Sequence, residues 1–167
     1  MPVELIDSVA LLTRQHRMVE DLLELVLHEN NNDRRKQLFL QAADHLAVHI
    51  KSEEEIFYPA VNSARTEDDL LESLEEHLSL KRLLADLIEM DGADRMFEPK
   101  FKVLREQVIH HHKEEEEHLF VKVINMVSKE DRAAMGQQME VLQGELTLQG
   151  EPREGVFSET GAATPLN

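Results

Sequence analysis

Two similar segments of the chain each place a histidine four residues before a glutamate. His49 and Glu53 form the first pair, and His111 and Glu115 form the second at the same offset (111 − 49 = 62 and 115 − 53 = 62). Residues four apart lie on one face of a helix, about 6 Å apart along its axis. Each pair can therefore direct one nitrogen and one oxygen towards the same point. The duplicated pattern predicts a metal site built from two similar halves.

A second pair of histidines follows nearly the same offset, since His77 lies 61 residues after His16 (77 − 16 = 61). Both interrupt an apolar helical pattern, and His16 stands between Leu12 and Val19. Ionisable groups on an apolar helix face are costly to bury unless they are paired or bound to a metal. The predicted metal ligands are therefore His16, His49, Glu53, His77, His111 and Glu115.

The rest of the sequence predicts an all-α protein. Helix-forming residues dominate, and aromatic residues make up only 4% of the chain. Four long segments with three-four apolar spacing are joined by short connections, which favours an up-down-up-down antiparallel four-helix bundle. We expect a short extra helix to follow, so that residues 1–145 form the bundle domain. Residues 146–167 contain few large apolar side chains, and we expect them to be a disordered tail.

Composition limits the function classes. The absence of Cys leaves imidazole and carboxylate as the metal ligands. A formal net charge of −16 argues against a nucleic-acid partner and against docking on anionic membranes. No apolar run approaches the roughly 20 residues of a membrane span, and no signal-peptide pattern opens the chain. We expect a cytoplasmic protein with no membrane association, whose acidic surface or tail is available to a protein partner.

The histidine triplet at 110–112 leaves the register of the second pair open. His111 with Glu115 continues the apolar face of its helix and aligns the two segments, so we prefer this register. His112 with Glu116 is the alternative. The choice treats His112 as a surface residue, like His28 and His110.

Other polar residues near the pattern receive less specific interpretations. His45 and His118 fall on the same helix faces as the ligands, and we expect them to hydrogen-bond the ligands or to replace one. Glu54 and Glu116 lie about 100° around the helix from the ligating glutamates, so we expect solvent-facing or salt-bridged side chains. Tyr58 is interpreted as a packing residue.

Mixed nitrogen and oxygen ligation with open positions suits iron, with manganese or zinc as lesser candidates. Ferritin-like bundles instead use a Glu-x-x-His spacing on two helices. Here that spacing occurs on a ligand-bearing helix face only from Glu115 to His118, because Leu74 stands three residues before His77.

These motifs resemble the hemerythrin-like HHE cation-binding family over about residues 7–127. The resemblance is carried by His16, by His49-x-x-x-Glu53-Glu54 with Phe57-Tyr58-Pro59, by Glu76-His77, and by His111-x-x-x-Glu115-Glu116 with Leu119-Phe120. It implies a four-helix bundle holding two iron ions joined by an oxo or hydroxo bridge. The histidines would be terminal ligands, and Glu53 and Glu115 would bridge.

The ligand count refines the resemblance. Oxygen-carrying hemerythrins place a further histidine four residues after the one in the third helix, and Lys81 stands there in this chain. Four histidines resemble the bacterial hemerythrin-like proteins more closely. For Lys81 we expect a glutamate partner or an extension to solvent, in preference to a role beside the metals.

The resemblance implies a non-haem di-iron protein that reacts with or senses dioxygen, peroxide or nitric oxide. The alternative is a binding protein without turnover, acting in iron storage, iron donation or redox sensing. The sequence leaves open whether the chain is an enzyme. Consumption of peroxide or nitric oxide would be the enzymatic version.

Overall fold

The computed structural model describes residues 4–167, and every regular element in that range is helical. The α-helices are α1 (Ser8–His28), α2 (Asn32–Ser52), α3 (Tyr58–Val61), α4 (Glu67–Glu89), α5 (Phe97–Glu114), α6 (Phe120–Met126) and α7 (Lys129–Gln149). Two π-helical turns, Glu53–Phe57 and Glu115–Leu119, join α2 to α3 and α5 to α6. A 3₁₀ helix, Pro152–Glu159, follows α7.

The four long helical segments pack as a closed ring. Helix α1 contacts α2 and α5, and α4 contacts the same two helices from the opposite side. Side chains of Asp7 and Asn31 cap α1 and α2 by accepting hydrogen bonds from the backbone N–H groups of Val9 and Arg34. The predicted four-helix bundle is confirmed. Within residues 4–167, no helix is both long enough and apolar enough to pass through a membrane.

The two π turns occupy equivalent places in the internal repeat. In the first, the backbone N–H of Tyr58 donates to the carbonyl of Glu53, and in the second Phe120 donates to Glu115. This five-residue hydrogen bond widens the turn, and such turns occur frequently at functional sites. Pro59 follows only the first turn, so proline is not the common cause. The duplication therefore extends from the ligand pattern to the backbone distortion behind it.

Apolar side chains form two clusters at different heights along the bundle. The first cluster includes Val19, Leu23, Phe39, Leu46, Leu84, Phe101 and Val108. The second includes Leu12, Phe57, Tyr58, Leu74, Leu119 and Val123. A layer of buried polar side chains lies between them. Burial of the two clusters fixes the positions of the helices that carry this layer.

The C-terminal residues differ from the expectation of a disordered tail. Helix α7 continues past residue 145 to Gln149, and the 3₁₀ helix packs against α2 and α4. Val156 is buried against the first apolar cluster, and Arg153 pairs with Asp44. One apolar side chain and a few specific polar contacts order this segment. Composition averaged over 22 residues (146–167) does not register such contacts.

Candidate metal centre

The structure brings the six predicted ligand side chains together in the polar layer. Helices α1 and α4 each supply one histidine. Each His-x-x-x-Glu segment supplies a histidine four residues before its π turn and a glutamate as the first residue of that turn. None of the six is more than 2% exposed: His16, His49, Glu53, His77, His111 and Glu115. Their burial shows that bulk water does not reach these six side chains.

Each His-x-x-x-Glu pair places a nitrogen beside an oxygen of its own segment. His49 Nε2 lies 3.1 Å from Glu53 Oε1, and His111 Nε2 lies 3.1 Å from Glu115 Oε1. The equal distances in the two segments follow from the shared four-residue spacing on a helix.

Each glutamate also meets a histidine from another helix. Glu115 Oε1 lies 3.3 Å from His16 Nε2, and Glu53 Oε1 lies 3.5 Å from His77 Nε2. The two carboxylates therefore each face two imidazoles, one from their own segment and one from a neighbouring helix. This arrangement has the approximate twofold symmetry that the sequence repeat predicts.

The outer ring nitrogens follow the same symmetry. Nδ1 of His49 donates to the amide oxygen of Gln15 at 3.0 Å, and Nδ1 of His111 donates to Glu76 at 3.1 Å. These two acceptors are the residues that directly precede His16 and His77 in sequence. Helices α1 and α4 thus each supply one ring to the layer and one acceptor for a ring of the adjacent helix.

The remaining two rings are held by the residues that directly follow the layer glutamates. Nδ1 of His77 donates to Glu54 at 3.0 Å, and Nδ1 of His16 donates to Glu116 at 3.2 Å. All four histidines therefore direct Nδ1 outward as a donor, and their Nε2 atoms face inward towards the layer carboxylates. Sequence reasoning missed this role of the two outer glutamates. Their repeat offset of 62, shared with the ligands, is the signal that could have indicated it (116 − 54 = 62).

Four of the inward-facing atoms lack a hydrogen-bond partner. Among the described residues, His16 Nε2, His49 Nε2, Glu53 Oε1 and Glu115 Oε1 are buried without a hydrogen-bond partner. Buried polar atoms in native proteins nearly always have a partner. A cation between these nitrogens and oxygens supplies one to all of them at once. The donor set therefore fits a metal ion.

The charges of the layer lead to the same conclusion. Burial and the neighbouring Glu115 raise the pKa of Glu53 well above its usual value. Burial opposes ionisation of Glu115 as well, yet the charge of His111 holds its pKa well below normal. Burial lowers the pKa of His111, but Glu115 and Glu76 raise it to about 10. Two carboxylates in contact cannot both ionise cheaply without compensating positive charge, which a multivalent cation provides.

A model of the hemerythrin HHE cation-binding domain matches residues 7–123. The chain belongs to this family. Its fold is similar to the crystal structure of a hemerythrin HHE cation-binding domain-containing protein from Mycobacterium kansasii, the Rv2633c homolog, with a TM-score of 0.74. The two chains are 19% identical, and the similarity covers 92% of this chain and 99% of the other. At this identity the likeness concerns the fold alone.

A DNA nickase from Nostoc sp. strain PCC 7120 is 29% identical to this HHE chain over 115 residues. The match covers 69% of this chain but 33% of the nickase, so the chain spans about a third of the length of that relative.

Three histidines of this HHE domain differ from the sequence-based interpretation. His112, expected at the surface, is 1% exposed, and its ring stacks on that of His16 with centroids 3.8 Å apart. His45 and His118, expected beside the ligands, are exposed, and His118 pairs with Glu114. The burial of His112 could have been predicted from Ile50, the buried apolar residue at the equivalent position 62 residues earlier. His28 and His110 are surface residues, as expected.

Tyr58 packs in the core, as predicted, and also contacts the layer. Its hydroxyl donates to Glu115 Oε2 at 2.8 Å and lies 3.4 Å from Glu53 Oε2. Burial and the adjacent carboxylates raise the pKa of Tyr58 well above normal, so the phenol keeps its proton. The π turn allows this contact because it brings the fifth residue after Glu53 next to that glutamate.

Lys81 connects the layer to the C-terminal segment. Its ammonium group is buried and donates to Glu54 Oε2 at 2.9 Å and to Glu159 at 3.2 Å. Burial opposes ionisation of Glu54, but His77 and Lys81 lower its pKa to about 2. A cavity of about 430 Å³ lies between α2, α7 and the 3₁₀ helix, and Lys81 and Glu159 are among its lining residues. The expected glutamate partner of the lysine is thus present.

Proposed function

We propose that this HHE-domain chain binds two iron ions in the polar layer and reacts with or senses dioxygen, peroxide or nitric oxide. The carrying observation is the orientation of the four predicted histidine ligands. Each Nδ1 donates to an outer acceptor. Each Nε2 lies within 3.5 Å of a layer carboxylate oxygen. Histidines that bind metals in proteins almost always have such an outer partner on the other ring nitrogen.

The donor set supports a pair of ions. Four imidazoles and two carboxylates would hold them through His16, His49, His77, His111, Glu53 and Glu115. Each carboxylate contacts histidines from two segments, so each is positioned to join the two ions. Mixed nitrogen and oxygen ligation favours iron, with manganese and zinc as weaker candidates. When bound, iron would supply redox electrons and open coordination positions to a small molecule.

The protein groups around the layer prepare it for this role. The outer acceptors fix the tautomer and the orientation of each imidazole before metal binding, which lowers the cost of assembling the site. Tyr58 holds a proton on its hydroxyl beside Glu115, and so orients that carboxylate. The apolar clusters above and below limit access to small, weakly hydrated molecules.

A second candidate is a binding protein without turnover, acting as an iron store, an iron donor or a redox sensor. The observation in its favour is the chain of contacts from His77 through Glu54 to the C-terminal segment. Through these contacts, a change at the metal site would alter the C-terminal segment, where a protein partner would bind.

Metal content and turnover separate these functions. Elemental analysis of aerobically purified protein should give two irons per chain with near-ultraviolet charge-transfer absorption. Consumption of hydrogen peroxide or nitric oxide beyond one equivalent would then support an enzyme, and iron without turnover would support the binding protein. The matched control is the double variant Glu53→Gln/Glu115→Gln, which should hold little iron. Absence of metal in the wild-type protein, even after anaerobic loading with ferrous iron, would refute the proposal.

The similarity to a DNA nickase does not lead us to propose a nucleic-acid substrate. The match covers a third of that protein, and the net charge of −16 provides no basis for phosphate binding. We expect no nicking of supercoiled plasmid in low salt with magnesium present. Conversion of plasmid to the relaxed form by the purified chain would overturn this expectation.

A further inference from the structure

His112 is buried without a use in the six-ligand site. It is 1% exposed, and neither of its ring nitrogens has a hydrogen-bond partner among the described residues. The closest acid is Glu20, whose Oε1 lies 3.5 Å from Nδ1. An imidazole that is removed from water and left unpartnered is uncommon in a folded protein and calls for an explanation.

The position of the ring supplies one. His112 lies parallel to His16, with an interplanar angle of 9°, and meets the ring of His49 edge-on at 5.9 Å between centroids. Ligating atoms of His16, His49 and His112 lie within 4.8 Å of one another. Three imidazole nitrogens at such separations can share one ion. The cluster is therefore an extension of the layer on the side of α1 and α2.

The surroundings of His112 repeat the pattern of the other four rings. Each of those rings has its Nδ1 directed at an oxygen acceptor outside the layer, and His112 has Glu20 on its Nδ1 side. Glu20 lies four residues after His16, and Lys81 lies four residues after His77. A carboxylate thus faces the extra histidine in one half of the site, whereas a lysine stands at the matching place in the other half.

We infer that His112 is a fifth histidine ligand, and that the ion held by His16 and His49 has three imidazoles while the ion held by His77 and His111 has two. The inference rests on the proposed function, since it requires metal in the layer. It goes further by making the two ions unequal. The ion with fewer imidazoles lies on the side of Tyr58, whose hydroxyl is 3.3 Å from His77 Nε2.

The first test counts imidazoles in the unaltered protein. We would label the chain with ¹⁵N-histidine, add two equivalents of Zn²⁺ as a diamagnetic probe, and record the ring-nitrogen resonances. Five histidines should change their ring-nitrogen shifts on zinc binding. Four shifted histidines with two bound zinc ions would overturn the inference and leave the proposed function intact. No bound zinc or iron would count against both.

Variants at position 112 provide the second test. His112→Ile introduces the residue found at the equivalent repeat position, Ile50, which is buried in the same bundle. His112→Phe keeps an aromatic ring to stack on His16 but removes the nitrogens. Both variants should bind one ion normally and the other at least about tenfold more weakly. His28→Gln, an exposed change at the end of α1, should bind both ions like the wild type.

The two variants separate ligation from packing. If His112 only fills space beside His16, the Phe variant will bind both ions with unchanged affinity and unchanged histidine shifts, which would refute the inference. Circular dichroism of each metal-free variant checks the fold. If both variants fail to fold, the zinc count in the wild-type protein decides the question.

Discussion

The two halves of the metal layer share one frame but differ in how that frame is supported. We call His77, Glu54 and Lys81 the tail-side half, and His16, Glu116 and Arg17 the open half. In the tail-side half the outer glutamate is buried, accepts from Lys81, and accepts from Thr164 of the C-terminal segment at 2.8 Å. In the open half the outer glutamate is 26% exposed and pairs with an arginine that is 57% exposed.

The difference shows which parts of a duplicated site are free to diverge. Both halves have the layer histidines and glutamates, a π turn and an oxygen acceptor beside each Nδ1, although His49 bonds to the amide of Gln15 and His111 to the carboxylate of Glu76. The residues behind them are not, because Ile50 stands opposite His112 and Glu20 stands opposite Lys81. Geometry at the layer is thus common to both halves, while charge and water access are set separately.

Removal of metal should have the largest effect, because both halves depend on it. A metal present at about a thousand times its dissociation constant stabilises the folded state by about 4 kcal/mol. For a chain of this size that corresponds to a loss of about 10 °C in Tm when a chelator is added. Scanning calorimetry of the iron-loaded protein, with and without chelator, measures it.

The control for this experiment is the double variant Glu53→Gln/Glu115→Gln. Its Tm should not respond to chelator, because the layer no longer supplies negative charge to a cation. An equal loss of Tm in the variant would mean that the stabilising metal binds elsewhere.

The outer glutamates provide the sharpest comparison of the halves. Glu54→Gln leaves the buried Lys81 with Glu159 as its one charged partner in the described part of the chain, and should lower the free energy of unfolding by about 3 kcal/mol. The equivalent change Glu116→Gln affects a partly exposed ion pair and should cost less than about 1 kcal/mol. Urea unfolding of the two metal-free variants measures both values. Equal losses would show that the supports of the two halves do not differ energetically.

The sequence predicted the bundle and proposed the six ligand positions because their signals are periodic. A four-residue spacing, an apolar helix face and an offset near 62 can all be recognised without coordinates. The salt bridges expected for Glu54 and Glu116 are present, with Lys81 and Arg17. Their hydrogen bonds to the ligand rings were missed for a physical reason, because both glutamates lie off the ligand face of an ideal helix. Their contacts depend on the side chain reaching around the helix to a ring on a neighbouring one. A single-helix projection cannot show such contacts.

The misplacement of His112 has a related cause. Adjacent residues on an ideal helix point about 100° apart, so choosing His111 as ligand assigned its neighbour to the surface. In the bundle that neighbouring position is buried, and its ring packs against His16 of α1 and His49 of α2. Comparison with Ile50, its apolar equivalent in the first segment, would have indicated burial. The C-terminal segment was misjudged because its order depends on a few specific partners in the bundle.

Tyr58 tests whether the aromatic residue after each π turn has the same role in both halves. Phe120 at the equivalent position has no hydroxyl, and its ring stacks near His16. Tyr58→Phe should cost about 2 kcal/mol in the metal-free protein, since the hydroxyl donates to an ionised carboxylate. It should also shift the near-ultraviolet absorption of the iron-loaded protein. Unchanged stability with an unchanged spectrum would mean that Tyr58 only packs, as Phe120 does.

Thr164 gives the smallest and most selective test, because it touches one half alone. Its hydroxyl donates to Glu54, which retains Lys81 as a second donor, so Thr164→Val should lower the free energy of unfolding by about 1 kcal/mol. Loss of an outer hydrogen bond should lower the binding affinity for one of the two ions by up to about tenfold and leave the affinity for the other unchanged. Metal competition titrations resolve the two affinities.

The matched control is Thr147→Val, whose hydroxyl bonds, within residues 4–167, to one backbone carbonyl of α7. This variant should retain both metal affinities. Because Thr164 reaches His77 only through Glu54, a selective loss would show that the C-terminal segment tunes the tail-side half. Equal weakening of both ions by Thr164→Val would instead mean that the segment acts on the bundle as a whole, and that the two halves respond as one unit.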